Sequence, residues 1–170
     1  MLCTQADHLG NRGVGFFDHF TWRAHHHRVV WNHLAFGNQS IRANIPPQER
    51  RGIVLIDPPF EKPDEFQTLI KQMQEWKKRW ATGCFMIWYP IKAGQPIAAL
   101  HKAATELGIN RTWVSEYLLQ KRDMTGGLNG AGLLIFNTPF GIPEKIEGLA
   151  QELCNKMEQG WIENRYLVGD

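Results

Sequence analysis

Four consecutive residues combine groups that could act on a ligand: Asp57, Pro58, Pro59 and Phe60. They follow Ile53-Val-Leu-Ile56, an apolar run without polar alternation, which is typical of a strand buried on both faces of a parallel sheet. Ligands of open α/β sheets bind at the carboxyl ends of the strands. There a carboxylate and a proline carbonyl could accept hydrogens, beside an aromatic ring. An ordinary helix-entry turn is the alternative, since Asp and Pro are common turn residues.

Strands and helices alternate from residue 52 onward, in the order strand, helix, strand, helix, strand, strand, helix. The early alternation predicts parallel pairing, whereas the last two strands, joined by the glycine loop 126–132, can pair antiparallel. We therefore predict an α/β fold whose strands between residues 52 and 136 are neighbours in one sheet. Asp57 should lie at the carboxyl edge of that sheet, beside an open cleft. Gly108 is the expected C-terminal cap of the second helix.

Length and composition are those of one globular domain, with 170 residues, 43% hydrophobic and 21% charged. No apolar run reaches the length of a membrane span, and no signal-peptide pattern is present. The three cysteines, Cys3, Cys84 and Cys154, are far apart and form no CxxC pair. This spacing argues against a disulfide framework or a zinc site. The composition predicts a cytoplasmic protein without a membrane or metal partner.

Residues 1–44 form an atypical leader that is rich in His and Arg. Six of the seven histidines fall within the first 33 residues. The leader has apolar residues without a sustained period, so we expect it to be less ordered than the rest and partly helical around 28–36. Adjacent histidines cannot share one helix face, and we interpret residues 25–27 as a basic patch rather than a metal site.

The tetrapeptide resembles the catalytic motif of amino methyltransferases, which modify the exocyclic amine of adenine, cytosine or a glutamine. An aromatic amine is a poor nucleophile because its lone pair is delocalised into the ring. By this resemblance, the Asp57 carboxylate and the Pro58 carbonyl accept the two amine hydrogens and favour a tetrahedral nitrogen. Pro59 helps to fix the backbone. Phe60 offers a ring on which an extruded base can stack.

The wider sequence is similar to one family, the bacterial 23S ribosomal RNA adenine-N6 methyltransferases of the J type, which have also been described as proteins involved in catabolism of external DNA. The similarity covers about residues 45–165 and is carried by ERRGIVLIDPPFE, ATGCFMIWYPI and GGLNGAGLLIFNTPF, in that order. It implies a Rossmann-like class I sheet, mostly parallel with a final antiparallel pair. It also implies S-adenosylmethionine as the donor, held in part by Asp57. The implied substrate is an adenine of 23S ribosomal RNA before full ribosome assembly.

The leader departs from the family pattern, which has a first strand ending in a Gly-rich cofactor loop. Gly10, Gly13 and Gly15 follow no predicted strand and match that loop weakly. We therefore expect residues 45–170 to be the catalytic half of a methyltransferase domain. RNA contacts are expected from Phe60 and from residues near the glycine loop, where mobile rims commonly hold substrate: Lys121, Arg122 and Asn129.

Other functions remain open on the sequence alone. A DNA-adenine or protein-glutamine amino methyltransferase would share the tetrapeptide. A non-catalytic remnant, or a fragment that only binds nucleic acid, would follow if the cofactor half is lacking.

Overall fold

The computed structural model describes residues 19–24, 27–32, 45–47, 52–122 and 127–169. These ranges contain seven strands and three helices. The strands are β1 (His19–Ala24), β2 (His27–Asn32), β3 (Gly52–Ile56), β4 (Cys84–Lys92), β5 (Thr112–Leu118), β6 (Leu128–Phe136) and β7 (Trp161–Val168). The helices are α1 (Glu65–Arg79), α2 (Ile97–Leu107) and α3 (Ile142–Met157).

All seven described strands belong to one mixed sheet, in the order β1-β2-β3-β4-β6-β5-β7. The β2–β3 and β3–β4 pairs are parallel, and β5 pairs antiparallel with β6, as predicted. The expectation of a mostly parallel sheet is wrong, because the other pairs, β1–β2, β4–β6 and β5–β7, are antiparallel too. The physical reason is that β6 lies between β4 and β5 and runs against both. The four strands between residues 52 and 136 are neighbours, which confirms that part of the prediction.

Helices cover both faces of the sheet. Successive side chains of a strand point to opposite sides, so a strand of apolar residues presents an apolar surface on each face. On one face, Phe85 of β4 packs in a core with α1 and α2, and its ring stacks on Trp76 at 5.5 Å between centroids. On the other face, Cys84 packs in a smaller cluster that includes Ile142 and Ile146 of α3. Gly108 ends α2 in the left-handed region, with φ of 61°, as predicted for its cap.

Three strands were not predicted from the sequence. Residues 28–32 lie in β2, so the helix expected around 28–36 is wrong for those positions. The sequence predicted no strand before residue 52. That prediction is also wrong, since β2 is a neighbour of β3 and runs parallel to it. β7 extends the other edge of the sheet. Most of the leader lies outside the described residues, including Gly10, Gly13, Gly15, His25 and His26.

None of the three helices in the described part of the chain is long and apolar enough to cross a membrane. Within the described ranges, no three His, Cys, Asp or Glu side chains are grouped closely enough to hold a metal ion.

Candidate functional site

Asp57 lies directly after β3, at the sheet edge where the parallel strands β2, β3 and β4 have their carboxyl ends. Its side chain is half-buried, Pro58 is buried and Pro59 is exposed. The strand register aligns Ile56 with Ile87 of β4, so Asp57 follows at the level of Trp88. The predicted position at the carboxyl edge is therefore correct. This is the edge at which α/β sheets bind ligands.

Phe60 has a strained backbone and a well-packed ring. Its φ of 51° falls in the left-handed region, which bulky residues rarely adopt. The ring is 8% exposed and lies 4.7 Å from Phe66 and 6.3 Å from Trp88 between centroids. Backbone strain of this kind concentrates at functional sites. Stacking on a base would require the ring to turn out of this cluster, and that role stays a prediction.

The three RNA-contact candidates other than Phe60 lie together at the β5–β6 connection. Asn129 accepts a hydrogen bond from the Gln120 N–H at 2.7 Å and donates to the Gln120 and Lys121 carbonyls at 2.9 and 3.2 Å. Its side chain thereby fixes the hairpin. The Lys121 side chain is exposed, whereas Arg122 is held by two carboxylates. The structure thus leaves Lys121 as the candidate with the most accessible charge.

A second polar cluster was missed by the sequence reasoning, and we call it the Glu116 network. At its centre is the Glu116 carboxylate on β5, which is fully buried. Arg122 donates to it at 2.6 and 3.3 Å, Arg165 of β7 at 3.0 Å, and the Tyr89 hydroxyl at 2.9 Å. Its members are Tyr89, His101, Glu116, Arg122, Glu163 and Arg165. Glu116 stands in a predominantly apolar strand, and this was the signal in the sequence that could have indicated the network. A charge buried in such a strand must be paired with other polar groups.

Hydrogen-bond donors and acceptors in the network fix the tautomer of His101. Arg165 donates to His101 Nδ1 at 3.0 Å, so Nδ1 carries no proton. The proton therefore sits on Nε2 and is donated to the Tyr89 hydroxyl at 2.9 Å, which in turn donates to Glu116. Burial lowers the pKa of His101, and the two arginines lower it further against the opposing charge of Glu116. The imidazole is neutral at neutral pH.

The carboxylate is charged despite its burial. Burial alone would raise the pKa of Glu116, but hydrogen bonds from Arg122 and Tyr89 are among the influences that bring it below its ordinary value. Arg122 also bonds Glu163 at 2.6 Å. The network thus combines an ionised carboxylate with a neutral imidazole and two fixed guanidinium groups.

Gly132 allows this network to cross the sheet. It lies on β6 between Tyr89 and Glu116, in register with both. A Cβ added to Gly132 would lie 2.2 Å from the Tyr89 ring. The missing side chain is what lets the Tyr89 hydroxyl reach across β6 to the carboxylate.

A cavity of about 330 Å³ opens beside the network, where β4 ends and α2 begins. Its polar and charged lining residues are Lys92, Gln95, His101, Arg122 and Arg165. Residues 57–60 do not line it. The open cleft expected beside Asp57 therefore stays a prediction.

A mixed α/β sheet with Asp-Pro-Pro-Phe at the carboxyl end of a parallel strand is consistent with a methyltransferase-like fold. The crystal structure of protein LPL1258 from Legionella pneumophila has the same fold, with a TM-score of 0.69 and 23% sequence identity over 76% of this chain and 49% of that one. The family model described as "Ribosomal RNA large subunit methyltransferase D, RlmJ" matches residues 22–167. The chain belongs to this family, which confirms the resemblance found in the sequence.

Two curated relatives carry the name ribosomal RNA large subunit methyltransferase J. The protein of Haemophilus influenzae is 33% identical over 71% of this chain and 43% of its own length. The protein of Escherichia coli K12 is 29% identical over 72% of this chain and 44% of its own length. The aligned part of this chain thus spans less than half the length of either relative.

Proposed function

We propose that this chain carries the catalytic motif for S-adenosylmethionine-dependent N6-methylation of an adenine in 23S ribosomal RNA. One observation carries the proposal: Asp57-Pro58-Pro59-Phe60 follows a parallel strand at the carboxyl edge of the sheet, in a chain of the RlmJ family. The names of the two curated relatives support the choice of ribosomal RNA. The substrate would be met in the cytoplasm before full ribosome assembly.

The described part of the sheet fits S-adenosylmethionine at this edge. β2 is the parallel neighbour of β3, so a strand that precedes residue 52 has its carboxyl end next to Asp57. A ligand over the carboxyl ends of β2 and β3 would lie beside the half-buried carboxylate of Asp57. The cofactor supplies a methyl group on a positively charged sulfur, which an acidic neighbour favours. Residues 33–44, which follow β2, lie outside the described ranges.

The residues of the turn have distinct proposed roles. The Asp57 carboxylate and the Pro58 carbonyl accept the two hydrogens of the adenine amine and hold its nitrogen toward the methyl donor. The hydrogen bonds to Asp57 strengthen as the nitrogen becomes tetrahedral and gains positive charge. Phe60 engages the base, and Lys121 at the β5–β6 connection contacts the RNA backbone.

The proposal is tested by methyl transfer to a 23S ribosomal RNA fragment from labelled S-adenosylmethionine. Asp57→Ala should lower turnover by about 10²–10³-fold, the usual effect of losing one group that stabilises developing charge. RNA affinity should stay nearly constant, because the ground state gains little from this contact. Asp64→Ala is the matched control, since Asp64 lies near the same turn and its side chain makes no helix-capping hydrogen bond. Full turnover in Asp57→Ala would refute the assignment.

The alternative that the sequence left open, a non-catalytic remnant, predicts that this chain does not bind the cofactor. Calorimetric titration of S-adenosylmethionine into the purified chain separates the two. Saturable binding supports a working cofactor site. Absent binding, restored when the chain is joined to the first half of the Haemophilus influenzae relative, supports the remnant.

A further inference from the structure

We propose that the cavity beside the Glu116 network binds a phosphate group of the RNA strand that carries the target adenine. The identity of the RNA rests on the proposed function, whereas the preference for a phosphate rests on the cavity itself. Three cationic side chains from separate elements converge on it: Lys92 from the end of β4, Arg122 from the β5–β6 connection and Arg165 from β7.

The balance of charge favours an anion. Three cations face two carboxylates, Glu116 and Glu163, and His101 is neutral, so one positive charge is in excess. Glu116 is fully buried and neither carboxylate lines the cavity. A ligand entering from solvent therefore meets the guanidinium and ammonium groups first. Lys92 is exposed at the rim and adds an accessible ammonium group.

The two arginines are held in place before any ligand arrives. Arg165 uses two N–H groups, one on Glu116 and one on His101 Nδ1. Arg122 uses three, two on Glu116 and one on Glu163. A guanidinium has five N–H groups, so each arginine keeps donors beyond these bonds. Fixed guanidinium donors suit the oxygens of a phosphate and reduce the entropy lost on binding.

The size of the cavity limits the ligand. At about 330 Å³ it lies at the lower end of the range for small-molecule pockets. It suits a single small group better than a whole oligonucleotide segment. A backbone phosphate, with the remainder of the strand outside, meets this limit.

The location connects the cavity to the proposed methylation site. Asp57 is level with Trp88 by the register of β3 and β4, and Lys92 lies four residues further along β4. Four residues of strand span about 13 Å. About four stacked nucleotides span this distance. Fewer nucleotides would span it if the RNA strand is extended around an extruded base. One short piece of RNA backbone can therefore reach both places.

The test combines two measurements on the full chain. Inorganic phosphate is titrated into protein with ¹⁵N-labelled histidine, and the His101 ring signals, assigned with His101→Gln, are followed by NMR. The affinity of a fluorescent adenine-containing RNA 12-mer is then measured by anisotropy at several salt concentrations. Lys92→Met is compared with Lys102→Met, because Lys102 is an exposed lysine on α2 that does not line the cavity.

We expect phosphate to shift the His101 signals in the wild type and much less in Lys92→Met. The RNA affinity should fall severalfold in Lys92→Met, with a salt slope smaller by about 0.7, the value for one lost contact to a single strand. Lys102→Met should match the wild type in both measurements.

Three other outcomes would separate the anion site, the RNA as its ligand and the proposed function. Equal RNA affinity and salt slope in both variants, with no phosphate effect on His101, would overturn the cavity as an anion site. A phosphate effect with RNA binding unchanged in Lys92→Met would leave a site for free anions and overturn RNA as the source. A wild type that binds phosphate but no RNA would overturn the proposed function while the anion site stands.

Discussion

The Asp-Pro-Pro-Phe turn and the Glu116 network belong to the same sheet but are built in opposite ways. The turn consists of four consecutive residues, and its carboxylate is half-buried beside a strained Phe60. The network gathers six residues from positions 89 to 165, and its carboxylate is fully buried and bonded to three side chains. Local sequence can encode the turn, whereas the network exists only after distant strands have paired.

The difference separates two uses of a carboxylate. A buried ion pair contributes little net stability relative to an apolar core, but removing one partner leaves the other charges uncompensated. Glu116 therefore fixes the positions of the groups around it. Asp57 lies in a less enclosed place at the sheet edge, where a carboxylate can meet a ligand. We expect substitutions in the network to reduce stability and the substitution of Asp57 to reduce turnover.

Among the network residues, the largest effect on stability should come from Glu116→Gln. The change keeps the side-chain volume but takes the buried carboxylate away from Arg122 and Arg165. Losing one partner of a buried pair costs about 3–5 kcal/mol, and the partial exposure of the two arginines keeps the loss toward the lower end of that range. Urea unfolding measures the free energy of unfolding. Glu163→Gln is the control, because Glu163 is 39% exposed and its loss should cost much less. Equal losses in the two variants would contradict the central role of Glu116.

A smaller effect, about 1–3 kcal/mol, is expected for Gly132→Ala, the usual cost of overpacking. The added methyl group would overlap the Tyr89 ring, so Tyr89 must move away from Glu116. Gly148→Ala on α3 is the matched control, because a Cβ there meets nothing within 4 Å. That change should stabilise the helix by up to about 1 kcal/mol. Thermal unfolding of the two variants should therefore shift in opposite directions.

The two regions also differ in how far the sequence alone predicts them. Asp57 was placed correctly because an unbroken apolar run followed by Asp and Pro is a local signal. Glu116, Tyr89 and Arg165 could not be joined from sequence, since their contact depends on β6 entering between β4 and β5 and on β7 pairing outside β5. The same insertion made the prediction of a mostly parallel sheet wrong.

The leader shows a different limit of sequence reasoning. Its apolar residues lack a sustained period, so no strand could be inferred, yet residues 28–32 pair with β3. Tertiary pairing decided the structure of that segment where the local pattern did not.

A more modest effect is expected from acid, through His101. Its pKa is lower in the folded protein than its ordinary value of 6.5, so the unfolded chain binds this proton more readily. The stability contributed by neutral His101 is complete above pH 6.5 and declines as the pH falls from there toward the folded pKa. Urea unfolding at pH 7.5 and 5.5 should show this loss in the wild type and a smaller one in His101→Gln. The comparison removes the contribution of the six other histidines.

The smallest effect is expected from Phe60→Tyr. The ring is kept, so its packing on Phe66 and Trp88 should persist, and the free energy of unfolding should change by much less than in Phe60→Ala. Phe60→Ala removes the ring and should cost about 3–5 kcal/mol. The rate of methyl transfer should follow the same order, nearly unchanged in Phe60→Tyr and reduced in Phe60→Ala. If Tyr and Ala were equally destabilising, the ring would not be what Phe60 contributes.

The pairing of β7 with β5 has a consequence for the order in which the protein is made. Arg165 follows Glu116 by 49 residues, so a ribosome completes the carboxylate's strand well before its partner strand exists. During that interval the Glu116 side chain has no Arg165 or Glu163 nearby, and β5 has an open edge that can pair with other chains. The cavity beside the network can form only after β7 has docked. A nascent chain would therefore gain this pocket only after β7 has been synthesised and has paired with β5.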